Sequence, residues 1–292
     1  MDGASVVAVM GCCLSKQTTD TSQNVARNAS QREIAWKTTG IVGLRDARLT
    51  SLPAKIFSAD VAPKCRNVDA SNNKIASLPP SIGTLVNLQR LTLTVNALAT
   101  LPDELAQCVN LRVLVLDRNA ISRVPDCVLA SLTKLQTLSL AHNKLAAMPS
   151  VASLAKLEKL SVAGNALTSL PDGAGRCVSL EELDAGDNPI DVIDASLGAL
   201  TRLRVLNMER TRVSAVPPEV FEGCVSLVTM SLHGCPLIDA DAIEETSGFK
   251  AYAARVRDKH GKKIHGGAMV GSRGLDDGVD RATAGRNIAP HR

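Results

Sequence analysis

One string, Leu-x-x-Leu-x-Leu-x-x-Asn-x-Ile-x-x-Val-Pro, occupies Leu111–Pro125 and returns nearly unchanged at Leu88–Pro102, Leu135–Pro149 and Leu157–Pro171. Degenerate copies start near Thr39, Cys65, Leu180, Leu203 and Leu227, and from Cys65 onward the spacing between starts is almost constant. Self-similarity at a fixed period of roughly this length is the signature of a solenoid. It constrains the chain more than any local motif, because equivalent residues of successive copies must occupy equivalent places.

Within a copy, Leu114-x-Leu116 alternates as a strand does, with Val113, Val115 and Asp117 on the opposite face. A lone strand cannot bury its apolar side, but copies stacked on one another can. Stacking predicts aligned columns. The first is Val68, Leu91, Leu114, Leu138, Leu160, Leu183, Leu206 and Met230; the second is Ala70, Leu93, Leu116, Leu140, Val162, Ala185, Met208 and Leu232. A third runs Ile75, Leu98, Ile121, Leu145, Leu167, Ile190, Val213 and Leu237. An Asn column (Asn73, Asn96, Asn119, Asn143, Asn165, Asn188) falls where the chain leaves the strand. An amide has two donors and an acceptor with which to satisfy turning backbone. Thr211 and Cys235 replace it in the last two copies, so this ladder should thin toward the C-terminal end. A Pro column (Pro53, Pro79, Pro102, Pro125, Pro149, Pro171, Pro217) fixes φ and opens a segment expected as a short helix or 3₁₀ turn. Ile193-Asp194 breaks the Leu-Pro pattern and reads as drift.

Over about residues 39–240 these copies resemble leucine-rich repeats, of the roughly 23-residue kind ending in Leu-Pro found in intracellular signalling scaffolds. The resemblance implies an α/β solenoid: an arc with a parallel β-sheet on its concave face, short helices or 3₁₀ turns on its convex face, and helical caps at both ends. The opening Gln31–Thr39 with Gly40, and the closing Gly248-Phe249-Lys250-Ala251-Tyr252-Ala253-Ala254-Arg255, resemble those of a small membrane-tethered member of that family. The chain then divides into a disordered N-terminal tail (1–30), the repeat domain with its N-terminal cap (31–240), a basic capping helix (241–265) and a disordered C-terminal tail (266–292).

Composition narrows the functional classes. A net charge of +4 over 292 residues does not argue for nucleic acid. The aromatics are Trp36, Phe57, Phe221, Phe249 and Tyr252; none lies in a repeat strand, so no base-stacking platform is expected. Cys108, Cys177 and Cys224 each precede a copy's first Leu by the same interval, an equivalent position expected to hold a small buried hydrophobe. Cys65 takes the first apolar slot, Cys235 the Asn slot, and Cys127 a convex position. This is a reduced, structural usage. With no Cys-x-x-Cys or His-x-x-x-His spacing, neither a metal nor another cofactor is expected.

Residues 1–30 contain Met10-Gly11-Cys12-Cys13-Leu14-Ser15-Lys16. Read from Met10, this is the N-myristoylation pattern at Gly11, with Cys12 and Cys13 suited to palmitoylation. The acyl chain needs a free α-amine on Gly11, so the reading requires initiation at Met10. Two lipids hold a membrane durably where one binds marginally. A chance match in a disordered tail is the bland alternative. A secretory signal over Ala4–Leu14 is another, against which Asp2 stands where a basic residue belongs. No stretch reaches about 18 apolar residues, so no spanning helix is expected.

At the ends of the repeats, residues 31–39 place Ile34, Ala35 and Thr38 at helical spacing beside Trp36 and are expected to cover the first coil. Ala242–His260 is expected as one helix, with Phe249, Tyr252, Ala253 and Val256 covering the last coil. Its other face carries Lys250, Arg255, Arg257 and Lys259, with Lys262 and Lys263 just beyond, and suits an anionic lipid surface.

The outward strand positions define a candidate partner-binding wall: Arg90, Val113, Val115, Asp117, Arg118, His142, Lys159, Glu182, Asp184, Asp187, Glu209 and Arg210. Glu182, Asp184, Asp187 and Glu209 form an acidic spot, suited to an extended partner of some basic character; a merely solvated face is the alternative. No catalytic residue is expected, because His142 and His233 sit on an open wall and catalysis needs a water-excluding pocket. The sequence thus reads as a non-enzymatic, monomeric, protein-binding scaffold of intracellular signalling. It is tethered to the cytosolic face of a membrane, with a small GTPase, a kinase or a phosphatase as partner. A soluble regulatory subunit of an enzyme such as a phosphatase, and a secreted or surface recognition module, are the rival readings.

Overall fold

The structure, a computed structural model, describes residues 31–236 and 240–264. Nine three-residue strands form one parallel sheet in sequence order. They are β1 Ile41–Gly43, β2 Asn67–Asp69, β3 Arg90–Thr92, β4 Val113–Val115, β5 Thr137–Ser139, β6 Lys159–Ser161, β7 Glu182–Asp184, β8 Val205–Asn207 and β9 Thr229–Ser231. The register joins Val42, Val68, Leu91, Leu114, Leu138, Leu160, Leu183, Leu206 and Met230 side by side, the first expected column with one coil added. That column and the second are buried throughout, as is the third from Ile75 to Val213; Leu237 lies outside the described residues. Fully burying one such aliphatic side chain is worth about 1.5–3 kcal/mol. Each coil draws that burial from its neighbours.

From Cys65 onward the convex segment follows coil length, whereas the longer first coil, from Thr39 to Cys65, carries two 3₁₀ turns, Ala54–Phe57 and Ala62–Lys64. In the two longest coils after Cys65, from Leu111 to Leu135 and from Leu203 to Leu227, the segment is α-helical: α2 Asp126–Ser131 and α3 Pro218–Gly223. Coils shorter by a single residue carry 3₁₀ turns, at Pro80–Thr84, Asp103–Gln107, Ala174–Arg176 and Ala195–Ala199. The shortest coil, from Leu135 to Leu157, has turns alone. The α-helix rises about 1.5 Å per residue against about 2.0 Å for 3₁₀, so an extra residue fits the same span by tightening the winding. Pro53, Pro79, Pro102, Pro125 and Pro217 stand at the N-cap positions, none with a side-chain cap. Asp194 differs: its carboxylate accepts the Ser196 N–H at 2.7 Å. The departure that reads as drift therefore exchanges a proline for a side-chain cap, while Ile193 keeps the buried leucine slot.

Behind the sheet the Asn ladder is complete from Asn73 to Asn188. Asn119 is typical. Its Nδ2 donates to Leu116 O at 2.8 Å and, one coil back, to Leu93 O at 2.9 Å; its Oδ1 accepts Leu98 N–H at 3.0 Å. From Ala70 to Val162 the carbonyls of this column are served twice, as Leu93 O also receives Asn96 Nδ2 and Leu116 O receives Asn143 Nδ2. Thr211 Oγ1 and Cys235 Sγ both donate to Met208 O, so the ladder ends on a hydroxyl and a thiol, as the sequence implies.

Both caps differ from expectation in orientation. Residues 31–39 form helix α1, but Ile34, Ala35 and Thr38 are exposed and Trp36 is the buried residue. Burial of the Trp36 ring sets the rotation of α1, and the pairs of Glu33 with Lys55 Nζ at 2.7 Å and of Lys37 with Asp60 at 3.2 Å are compatible with it. At the other end the single expected helix is two, α4 Ala240–Glu245 and α5 Phe249–Ile264. The break is at Gly248, whose φ of +81° suits glycine and whose Cα lies close against the Glu222 backbone. Phe249 and Tyr252 do cover the last coil, 5.5 and 5.6 Å from the Phe221 ring. Arg255 turns inward and donates to Phe221 O and Cys224 O, which removes it from the basic face.

Candidate functional site: the concave wall

The open face of the sheet is built from the first and third residue of every strand and from the outward residues of the turn that follows. Arg90, Val113, Lys159 and Glu182 lie in the first row; Val115 and Asp184 lie in the next. Asp117 and Glu209 follow, and Arg118, His142, Asp187 and Arg210 form the outermost row. The structure thus brings all twelve expected residues onto one surface, half-buried or exposed. Gly11, Cys12 and Cys13 lie outside the described residues.

The outermost row has a property that sequence reading missed. In all nine coils the residue before the ladder position is left-handed: Asp46, Asn72, Val95, Arg118, His142, Gly164, Asp187, Arg210 and Gly234 have φ between 50° and 72°. Asp, Asn, Gly and His in one column are a legible signal for this conformation. Val95 and the arginines conceal it. The turn is required because the N–H of this row donates to the next coil, as Val95 N–H does to Asp117 O at 2.9 Å. Val95 is the single β-branched member, and it is exposed at 42%.

The acidic spot is occupied rather than open. Lys159 Nζ meets Glu182 at 2.9 Å. Arg210 grips Asp187 through Nε and Nη2, the latter at 2.6 Å, and reaches Glu209 at 3.8 Å. The Arg210 hydrogen bond holds the Asp187 carboxyl below its usual range, and Asp187 in turn raises the guanidinium. Asp184 accepts Asn207 Nδ2 at 2.9 Å and Ser161 Oγ at 3.3 Å. Asp117 accepts the Ala141 N–H at 2.9 Å and the Ser139 hydroxyl. Exposed pairs of this kind contribute little stability, about 0–1 kcal/mol each. Lys159 and Arg210 offset two of the four negative charges of the spot, while Asp184, held by neutral donors alone, stays uncompensated. His142 lies over Gly164, where a Cβ would come within 2.5 Å of Nδ1.

The thiols sit behind this wall. Cys108, Cys177 and Cys224 are fully buried and donate across to Ile82 O, Val151 O and Leu197 O of the preceding coil. Burial pushes these thiols up to about 11 and Cys65 up to about 12. They are packing groups, as their repeated position suggests. No group of His, Cys, Asp and Glu among the described residues could hold a metal ion, and no described helix is long and apolar enough to cross a membrane.

Comparison with known proteins agrees with this architecture. The profile of a leucine-rich repeat region matches residues 103–231. Plant intracellular Ras-group-related LRR protein 7 of rice (Oryza sativa subsp. japonica) is 44% identical over 87 residues, 30% of this chain and 29% of that protein. Plant intracellular Ras-group-related LRR protein 8 of rice is 34% identical over 307 aligned positions, 88% of this chain and 68% of that protein. This chain therefore spans under a third of the first relative's length along their match and about two thirds of the second's. A solved leucine-rich repeat protein of Leptospira interrogans superimposes with a TM-score of 0.58 at 30% identity, over 64% of this chain and 52% of that one. These matches carry the family; the finer likeness of the two end segments to leucine-rich repeat-containing protein 57 is not part of what they show. With nine coils in register, an unbroken Asn ladder through Asn188 and a relative aligned along most of its length, the chain belongs to the leucine-rich repeat proteins.

Proposed function

We propose that this protein is a non-enzymatic binding scaffold of intracellular signalling that holds a protein partner on its concave wall. The observation that carries the reading is the wall itself. Nine adjacent strands present half-buried and exposed side chains along one open surface. Such a surface suits an extended contact and encloses no cleft in which water-free chemistry could be run. His142 and His233 stand exposed upon it. The names of the rice relatives, intracellular and Ras-group-related, favour an intracellular setting and a small GTPase ahead of a kinase or a phosphatase as partner. The protein would act as a monomer.

The tether belongs to the same reading. Gly11 with Cys12 and Cys13 supports dual acylation of a chain begun at Met10, and attachment to the cytosolic face of a membrane. The domain division into tail (1–30), capped repeats (31–240), capping segment (241–265) and tail (266–292) goes with it.

Two measurements test this. A photo-crosslinking residue placed at Val113 on the wall, and another at Glu104 on the convex side, are expressed in cells. A partner adduct from position 113 and none from 104 is expected; the reverse pattern would overturn wall binding. Fractionation of wild type and Gly11→Ala, with intact mass of the N-terminal peptide, tests the tether. Equal distribution, or an unmodified Met1 start, would leave the soluble regulatory-subunit reading in its place.

A further inference from the structure

The wall is not uniform in what it has left to offer. Its carboxylates are engaged by their own coil or a neighbouring one: Asp46 by Arg45 and Asn72, Asp69 by Ser71, and Asp117, Glu182, Asp184, Asp187 and Glu209 as described above. Three of its cations, Arg45, Lys159 and Arg210, are engaged in the same pairs. Two are not. Arg90 and Arg118 are exposed and enter no ion pair among the described residues. Each guanidinium presents a fork of N–H donors matched to carboxylate.

The same stretch holds three of the wall's apolar side chains, Val95, Val113 and Val115, while Ile41 and Val205 stand singly toward its two ends. Arg90 pairs in register with Val113, and Val115 follows on the same face of β4. Arg118 adjoins Val95 across the coil boundary, since Asn96 N–H donates to Arg118 O. Val95 is held left-handed and exposed, a conformation that costs a β-branched residue about 1–3 kcal/mol and that Asn72 and Gly164 adopt more easily in the same row. An apolar residue in a strained, solvent-facing place does nothing for the folded chain by itself.

The geometry points to a docking site on the N-terminal half of the wall, formed by Val95, Val113 and Val115 between Arg90 and Arg118, whose occupant is an extended protein segment carrying carboxylates beside aliphatic side chains. The inference rests on the proposed wall-binding function and concerns the N-terminal half of the wall, apart from the acidic spot of the C-terminal half. Aliphatic side chains of the segment would cover the valines, and its carboxylates would take the two open forks. The C-terminal half, with four carboxylates and two cations, keeps a negative balance and would repel the same segment, which confines it to the N-terminal half.

The test uses the full chain, immobilised, with a random-peptide display library as probe. Selected peptides are measured by fluorescence anisotropy against wild type, the double variant Arg90→Glu/Arg118→Glu, Val95→Asn and, off the wall, the exposed Arg123→Gln, each checked for a wild-type circular dichroism spectrum. Enrichment of Asp or Glu beside Leu, Ile or Val is expected, with affinity weakened about tenfold or more by the double variant and by added salt. Arg123→Gln should leave it within about twofold. Val95→Asn should weaken binding while raising the melting temperature, a divergence that a purely structural Val95 would not produce. Enrichment of Lys and Arg peptides lost on Glu182→Gln would overturn the inference and leave wall binding standing. Binders that crosslink from the convex side alone would overturn both. A library yielding no binder sensitive to the double variant would also overturn the inference.

Discussion

Replacing Asn119 by alanine isolates what the ladder contributes. The amide serves three carbonyls and one N–H, but the loss is not four equal bonds. Leu93 O retains Asn96, Leu116 O retains Asn143, and Asp117 O retains the Val95 N–H at 2.9 Å. Leu98 N–H alone loses its acceptor, in a residue with no exposed surface. An orphaned buried donor costs about 1–3 kcal/mol, and doubly served carbonyls lose less, so about 2 kcal/mol is expected. For a domain of this size that lowers the melting temperature by about 4–8 °C. Asn119→Thr should cost less than alanine, because Thr211 shows that a hydroxyl can donate to the column carbonyl. Asn119→Asp should cost more at neutral pH, since an anion faces carbonyls where a donor stood. Its carboxyl would titrate higher in the folded chain than in the unfolded one, so the deficit should shrink as pH falls and the protonated acid donates again. Urea unfolding followed by circular dichroism gives all three values. An alanine variant within about 0.5 kcal/mol of wild type, or Asp and Asn of equal stability, would show that the ladder is geometry without energetic consequence.

Three further outcomes are expected. Val95→Asn should raise stability by about 1 kcal/mol, because Asn tolerates the left-handed region and the exposed valine buries little; unchanged or lower stability in urea would refute the strain. Gly223→Ala should cost about 1–3 kcal/mol or more, since its Cβ would press into Gly198 O and the convex coils would have to part; a neutral effect would mean they slide freely. The buried thiols should make the fold alkali-sensitive. Folded values of about 11 to 12 exceed the ordinary 9.0, so their contribution is full below 9.0 and is lost as pH rises through 11 to 12. Each titrating thiol adds a slope of about 1.4 kcal/mol per pH unit. Cys108→Ala should flatten the fall in urea midpoint, and in a Cys12→Ser/Cys13→Ser background iodoacetamide should label Cys127 and leave the four buried thiols.

The period alone determined the fold. Leucine, asparagine and proline each recur in one place because each coil solves the same local problem, and a column such as Leu91, Leu114 and Leu138 can be drawn without coordinates. From Cys65 onward coil length also goes with the choice between α-helix and 3₁₀ turn, a rule the longer first coil with its two 3₁₀ turns does not follow. Three things required the tertiary structure. The rotation of α1 turns on which side of the helix finds a surface to cover, and that is Trp36, with Glu33 and Lys37 left to pair with Lys55 and Asp60 about a full coil along the chain. The strain at Val95 is visible only once the other eight coils show what that row must do. Above all, which wall charges are paired and which stand open was decided by contacts such as Lys159 with Glu182 and Asp187 with Arg210, in each of which the partners belong to successive coils. Burial repeats with the sequence because every coil needs it. Charge does not, because a carboxylate counts as open or occupied only according to which side chain of the next coil reaches it.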